Sequence, residues 1–355
     1  MSGTSMDAVD VAWLRTDGRS RIEAGPAGGY PYQPDEREAV RAVLGQRQAD
    51  DTAVSAVTAA HARAIDRFLA SHEGLRENLD LIGFHGQTIF HDPANRITVQ
   101  IGDAAYLADR FSIPVVHDFR SADVAAGGEG APFASLYHVA LAADLPKPLC
   151  VLNLGGVGNV TWIGDDDAVL AFDTGPASAL MDDWMLARTG EPFDRDGATA
   201  ASGTADRTRV SEWLEQDYFS KEPPKSLDRN DFVVSVEGMN VADGAATLAE
   251  FTILSVVRAL EHMPARPARW LVTGGGRHNA HLMRRLGQEL RATVEPVEAA
   301  GWQGDALEAQ AFAWLAVRSL DGLPLSLPST TNVPEPMTGG VLVQPASISA
   351  RRRST

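Results

Sequence analysis

Three short glycine-rich turns, each set against an apolar run, constrain this chain more than any other feature. They are Ser2-Gly3-Thr4-Ser5-Met6-Asp7-Ala8-Val9-Asp10, then Asn153-Leu154-Gly155-Gly156-Val157-Gly158-Asn159, then Thr273-Gly274-Gly275-Gly276-Arg277-His278-Asn279. Small residues let a backbone approach a bulky anion, and successive N–H groups can form an anion nest. In the first turn the Thr4 and Ser5 hydroxyls add donors, and Asp7 and Asp10 suit a hydrated magnesium ion, which prefers oxygen ligands. The same residues also suit a polar turn whose carboxylates only cap or solvate. The second turn joins two apolar runs; it fits a second phosphate or a plain hairpin. The third opens a helix, whose N-terminus favours anions, and Asn279 also fits the N-cap of that helix. There is no Gly-x-x-x-x-Gly-Lys-Ser/Thr loop and no dinucleotide fingerprint in its proper context, so a nucleotide would need the glycine turns themselves.

Around the turns, short apolar runs alternate with helical patterns, which signals an α/β fold. Strands are expected at 9–14, 79–84, 97–101, 114–116, 149–154, 157–163, 169–172 and 270–273. Helices are expected at 37–44, 53–69, 177–187, 244–260, 281–290 and 307–320. The stretches 191–205 and 219–232 are rich in Gly, Asp, Pro and charge and read as irregular loops. The tail from Pro324 reads as irregular too, with Arg351-Arg352-Arg353 as a solvated terminus. At 355 residues, two domains are the prior.

Lys plus Arg number 31 against 47 Asp plus Glu, a net charge of −16. Such a surface repels phosphate backbones and anionic lipid, so neither nucleic acid nor membrane is expected as the main partner. The single cysteine, Cys150, lies in an apolar run and is expected to be a buried structural thiol. No basic stretch followed by an apolar run opens the sequence, and no apolar stretch reaches the length of about 20 residues that spans a bilayer. The expected location is the cytoplasm.

The order of the turns, first phosphate, second phosphate, adenosine, resembles the actin, hexokinase and Hsp70 superfold. Further segments make the resemblance specific: Gly86-Gln87-Thr88 with His91 and Pro93, Gln100-Ile101-Gly102, Asp118-Phe119-Arg120 with Asp123, Gly127 to Pro132, Phe172-Asp173-Thr174-Gly175-Pro176 with Asp182, Pro224-Lys225-Ser226, and Glu308 to Ala316. With the opening Met1 to Asp7, these resemble the anhydro-N-acetylmuramic acid kinase family over nearly the whole chain. The resemblance implies a two-domain actin-like (ribonuclease H-like) ATPase fold with a central nucleotide cleft. Domain I would be 1–122 with 328–355, and domain II 123–327. The strand that precedes the first phosphate loop in the family has no counterpart ahead of Ser2, so the sheet is expected to lack it.

The implied reaction takes 1,6-anhydro-N-acetylmuramate, ATP and water to N-acetylmuramate 6-phosphate and ADP during cell-wall recycling. Asp173 matches the family's base, the local alternative being a helix cap. By the same resemblance Gly3 to Asp10 (Gly3, Thr4, Ser5, Met6, Asp7, Ala8, Val9, Asp10) bind ATP, joined by Asn153, Gly155, Gly156, Asn159, Gly274, Gly275, Gly276 and Asn279. Asp7 and Asp10 would hold Mg2+. Glu308, Arg120, Asp123 and Thr88 would contact the sugar, although Glu308 could face solvent and Arg120 and Asp123 could form a structural ion pair. His85, His91 and His138 lack the paired spacing of a metal site and are expected in core or hydrogen-bonding roles. A homodimer is implied as well. The chain departs from the family at Ala8, Glu129, Ala177-Ser178 and Leu227-Asp228, the last two pairs bordering the expected sugar site. The alternatives are a kinase of the same superfold acting on another sugar or carboxylate, and a nucleotide-gated interaction protein without catalysis.

Overall fold

The computed structural model describes residues 1–3, 6–227, 232 and 234–346. Thr4, Ser5, Asp228 and the Arg351–Arg353 triplet lie outside them. The strands, in chain order, are β1 (Ala8–Thr16), β2 (Ile22–Pro31), β3 (Ile82–Gly83), β4 (Gln87–Asp92), β5 (Ile97–Ile101), β6 (Val115–His117), β7 (Leu149–Leu154), β8 (Val157–Ile163), β9 (Val169–Pro176), β10 (Arg269–Thr273), β11 (Thr293–Pro296) and β12 (Val341–Val343). The chain divides into two compact units, Met1–Ala143 with Ala306–Thr355, and Asp144–Asp305. Among the described residues no helix is long and apolar enough to cross a membrane.

In the first unit β1 and β2 form an antiparallel hairpin, and β4 and β5 form another. A separate three-stranded sheet runs β12-β6-β3, with β3 parallel and β12 antiparallel to β6. The helix Asp51–Ala70 starts where Asp50 accepts a hydrogen bond from the Ala53 N–H at 2.8 Å, meeting the need of a helix start for side-chain acceptors. It buries Ala53, Val57, Ala60, Ala64 and Phe68 along one face. The helix Leu307–Leu320 belongs to this unit. Its Trp314 Nε1 donates to the Arg19 carbonyl at 3.3 Å, and Arg318 Nη1 donates to the Gly18 carbonyl at 2.9 Å. A Cβ on Gly83 would stand 2.5 Å from the Phe312 carbonyl oxygen, so the glycine lets the helix backbone lie directly on β3. The first unit thus takes in residues 123–143 and 306–327, which the sequence division set with the second.

The second unit is built on a five-stranded sheet in the order β11-β10-β7-β8-β9. β10 is parallel to both β7 and β11, while β8 and β9 run antiparallel. Period-two alternation sends Cys150, Leu152, Leu154, Val160, Trp162, Phe172, Trp270 and Val272 to one side, where they join one apolar cluster. The 18-residue helix Val241–Arg258 packs into that cluster. Its start is capped by Asn240, which accepts from the Asp243 N–H at 2.9 Å. Phe251 on this helix is fully buried and meets Trp213, Phe219 and Phe232 with ring centroids 5.2 to 5.9 Å apart. Cys150 is buried, with burial pushing its thiol pKa well above the usual value. It is the inert structural thiol expected of an apolar strand.

Phe251→Ala removes a ring that several aromatic neighbours surround. It is expected to lower unfolding stability by about 3–5 kcal/mol, read from the urea-unfolding midpoint; a loss below about 1 kcal/mol would contradict this account of the core.

Candidate active site

The site in the second unit follows from strand register. Thr273 on β10 pairs with Asn153 on β7, Asn153 pairs with Asn159 on β8, and Asn159 pairs with Asp173 on β9. Directly paired residues project to the same face of a sheet, so these four polar side chains form one row across it. The row faces away from Leu152, Leu154, Val160, Phe172 and Val272. The regular β8–β9 register runs as far as the Asn159–Asp173 pair, and a bulge between Gly158 and Asn159 then shifts it by one residue, setting Gly175 opposite Gly158.

The glycine turns stand at the end of this row. Gly155 and Gly156 form the turn between β7 and β8, and Gly274 follows β10 directly. Gly274 has φ +75°, and a Cβ there would collide with Asn153 Oδ1, so glycine is required on both counts. A Cβ on Gly276 would stand 2.6 Å from the Leu154 Cβ. The second and third turns therefore pack against each other. Gly275 is exposed, and an added Cβ would meet nothing within 4 Å. The Gly155 and Gly156 carbonyls are held by the start of the helix Ser178–Thr189. Gly155 O accepts from the Ser178 N–H at 2.9 Å and from its Oγ at 2.8 Å, and Gly156 O accepts from the Ala177 N–H at 3.1 Å. The Ser178 hydroxyl thus helps to hold the second turn.

Arg277, missed as a functional residue in the sequence, staples the third turn. Its Nη1 donates to the Gly274 carbonyl at 3.0 Å, Nε to Glu298 Oε1 at 3.1 Å and Nη2 to Asp305 Oδ1 at 2.7 Å. Its place directly after three glycines was the available signal. Asn279 spends its side-chain oxygen on the Leu282 N–H at 3.0 Å, capping the helix Ala280–Leu290.

Asp173 is buried, with 6% of its surface exposed. It does not cap the next helix, whose N-cap position is Ala177 without a side-chain bond. Instead Asp173 Oδ2 accepts from the Leu227 N–H at 2.9 Å. Its backbone N–H donates to the Lys225 carbonyl at 2.9 Å, and its carbonyl accepts from the Tyr218 hydroxyl at 2.5 Å. Tyr218 and the Leu227 N–H were not singled out in the sequence. The hints were the Pro224-Lys225-Ser226 segment and the Leu227-Asp228 pair beside the expected sugar site; a backbone donor itself leaves no residue-type signature.

The remaining expected site residues lie in the first unit. Ser2 bridges to Val9, and the Met6 N–H donates to the Gly3 carbonyl at 3.2 Å, so Ser2 and Gly3 lie against Met6 and Val9. Met6 adopts φ +51°. Ser2 Oγ donates to Gln87 Oε1 at 2.5 Å and accepts from Tyr32 at 3.0 Å, fixing Ser2 to β4. Gly3 faces open space, since an added Cβ would meet nothing within 4 Å. Asp7 is exposed and Asp10 half-buried on β1; among the described residues no group of three or more His, Cys, Asp or Glu gathers to hold a metal.

Thr88 is half-buried and accepts from Gln100 at 3.2 Å within the β4–β5 hairpin. Arg120 lies over the Phe133 and Phe312 rings at 5.5 and 5.9 Å. Its Nε donates to His85 Nε2 at 2.9 Å and its Nη1 to the Gly130 carbonyl at 2.5 Å. His85 also contacts the Gly86 carbonyl through Nδ1 at 2.9 Å; burial, followed by Arg120, drives its pKa well below the usual value, so the ring is neutral. Asp123 is 2% exposed and accepts from the Gly130 N–H at 2.8 Å, from Thr331 at 2.6 Å and from Ser326. These bonds make it a brace for the Gly127–Pro132 segment. Glu308 has an exposed side chain, yet desolvation raises its carboxyl pKa, with Arg120 and the Met1 ammonium acting in the opposite sense. We read it as a carboxylate open to solvent but closely hemmed by protein.

A family model described as anhydro-N-acetylmuramic acid kinase matches residues 1–345. The anhydro-N-acetylmuramic acid kinase of Paramagnetospirillum magneticum is 54% identical over 344 residues, covering 96% of this chain and 97% of that protein. The protein of the same name from Rhodospirillum rubrum is 52% identical over 355 residues, covering 98% and 94%. Among solved structures, the activator of 2-hydroxyisocaproyl-CoA dehydratase from Clostridium difficile with bound ADPNP is 10% identical, with a TM-score of 0.43 and coverage of 88% of this chain and 96% of that one. With a family match along 345 residues and relatives more than half identical, the chain belongs to the anhydro-N-acetylmuramic acid kinase family.

Proposed function

We propose that this chain is an ATP-dependent kinase that opens 1,6-anhydro-N-acetylmuramate with water and phosphorylates the freed hydroxyl. The products are N-acetylmuramate 6-phosphate and ADP, in cell-wall recycling. The observation that carries the reading is the row Thr273, Asn153, Asn159 and Asp173, with two glycine turns at its end. The name shared by the relatives supplies the substrate.

In this reading Asp173 takes a proton from water. The resulting hydroxide bonds to the anomeric carbon, the bond from that carbon to the ring-closing oxygen breaks, and that oxygen takes the γ-phosphoryl group as ADP leaves. The Leu227 N–H fixes one carboxylate oxygen. Gly275 and Gly3 fit a nucleotide because a side chain at either would fill open space where phosphate or adenosine could lie. Asp7 and Asp10 offer hard carboxylate oxygens of the kind magnesium prefers, and the ion would supply positive charge to the transferring phosphoryl group. Arg120, Thr88 and Glu308 serve the sugar, and Asp123 serves them by bracing the Gly130 segment. The reading extends to a homodimer in the cytoplasm, in keeping with the family resemblance, and the net charge of −16 suits a small-molecule partner over nucleic acid.

Asp173→Asn is expected to keep ATP affinity within about twofold and to lower turnover about 10²–10⁴-fold, measured by coupled ADP release with the anhydro sugar; near-normal turnover would refute Asp173 as the base. Gly275→Val is expected to leave the unfolding midpoint unchanged and to weaken ATP binding at least about tenfold, near 1.4 kcal/mol, by calorimetry. Unchanged ATP affinity would remove the third turn from the nucleotide site.

A further inference from the structure

Lys225 is 6% exposed, and its ammonium has no carboxylate within ion-pair distance among the described residues. It is held instead by carbonyls and rings. Nζ donates to the Lys221 carbonyl at 2.7 Å and the Tyr218 carbonyl at 3.1 Å, at the end of the short helix Asp217–Ser220. It lies 4.8 Å from the Tyr218 ring centroid and 5.9 Å from that of Phe172. His262 Nε2 stands 3.4 Å away.

The backbone on either side of this ammonium reaches Asp173. The Lys225 carbonyl accepts from the Asp173 N–H, the Leu227 N–H donates to the Asp173 carboxylate, and the Tyr218 hydroxyl donates to the Asp173 carbonyl. All three bonds therefore come from one strap, residues 218–227, which bends back on itself. The group that ties its two limbs together is the Lys225 ammonium. A buried cation is expensive, and a neutral side chain would fill the same space more cheaply. Its position is explained if the strap must be held at fixed distance from Asp173.

We propose that Lys225 is a positioning residue for the reaction, closing the 218–227 strap so that the Leu227 N–H orients the Asp173 carboxylate. This rests on Asp173 being the base. The charged and titratable groups around Lys225 are His262, Glu222, Lys221, Arg258 and Tyr218. Glu222 is largely exposed and lies 3.6 Å from His262 Nδ1. Desolvation, with Lys221 and Arg258 adding to it and Glu222 opposing, lowers the Lys225 pKa to about 8. The sign of the linkage separates function from stability. Between about pH 8 and the ordinary lysine value near 10.4 the unfolded chain binds more protons than the folded one, so this group makes stability rise with pH. Strap closure, which needs the ammonium, is lost over the same range.

The test uses Lys225→Met and Lys225→Arg in the full chain, with two readouts. In Lys225→Met, kcat is expected to fall about 10²-fold with the KM for ATP unchanged, and the peptide covering 218–227 is expected to lose protection in hydrogen exchange. In Lys225→Arg, which keeps a cation, protection is retained and the alkaline fall in kcat near pH 8 moves upward. Wild-type kcat and protection in Lys225→Met, or an alkaline limb unmoved in Lys225→Arg, would overturn the proposal. Should Lys225→Met not fold, the shift in Lys225→Arg decides it. Failure of the base reading is distinguishable: Asp173→Asn would then turn over normally, while hydrogen exchange still reports the strap.

Discussion

The hydrogen bond from the Leu227 N–H to Asp173 Oδ2 is the contact on which the chemical reading depends. A carboxylate that is to take a proton from water must be held with one oxygen engaged and the other available. In Asp173 the Leu227 N–H engages Oδ2, and the backbone is held by β8 on one side and the 218–227 strap on the other. The neighbouring Phe172 faces the apolar cluster. The alternation of one strand therefore both anchors this stretch in the core and presents Asp173 on the opposite face.

The register across β10, β7, β8 and β9 then links Asp173 to the glycine turns. Parallel pairing of β10 with β7 brings the third turn beside the second, and Gly274 gives Asn153 the room it needs. The turns are also held from behind. The start of the helix Ser178–Thr189 binds the Gly155 and Gly156 carbonyls, and Arg277 binds that of Gly274. Loops tied at their carbonyls keep their N–H groups oriented without a ligand, which lowers the ordering cost of binding an anion.

Much of this was legible in the sequence. The strands 97–101, 149–154 and 157–163 and the helix 307–320 occur at the expected limits, because apolar runs and periodicity state them directly. β2 was missed because Gly25, Pro26, Gly28 and Gly29 argue against a strand, although an edge position tolerates them. β12 was missed because Val341-Leu342-Val343 is short and sits in a Pro- and Thr-rich tail, where only pairing with β6 makes it a strand. At the site, residue types pointed to Asp173 and the glycines. The Asn279 helix cap was among the readings open in the sequence, but residue types could not reveal Asp123 as a brace or Asp173 held by the backbone of Leu227. Those depend on which groups tertiary packing brings together.

The central claim is that water opens the sugar and ATP supplies the phosphoryl group, in one active site. The most direct measurement is turnover of 1,6-anhydro-N-acetylmuramate and ATP in 18O-labelled water, with the label located in the sugar phosphate by mass spectrometry. The account predicts one 18O at the anomeric carbon and none in the transferred phosphoryl group. Label in released phosphate, or a phosphorylated sugar without label, would contradict it.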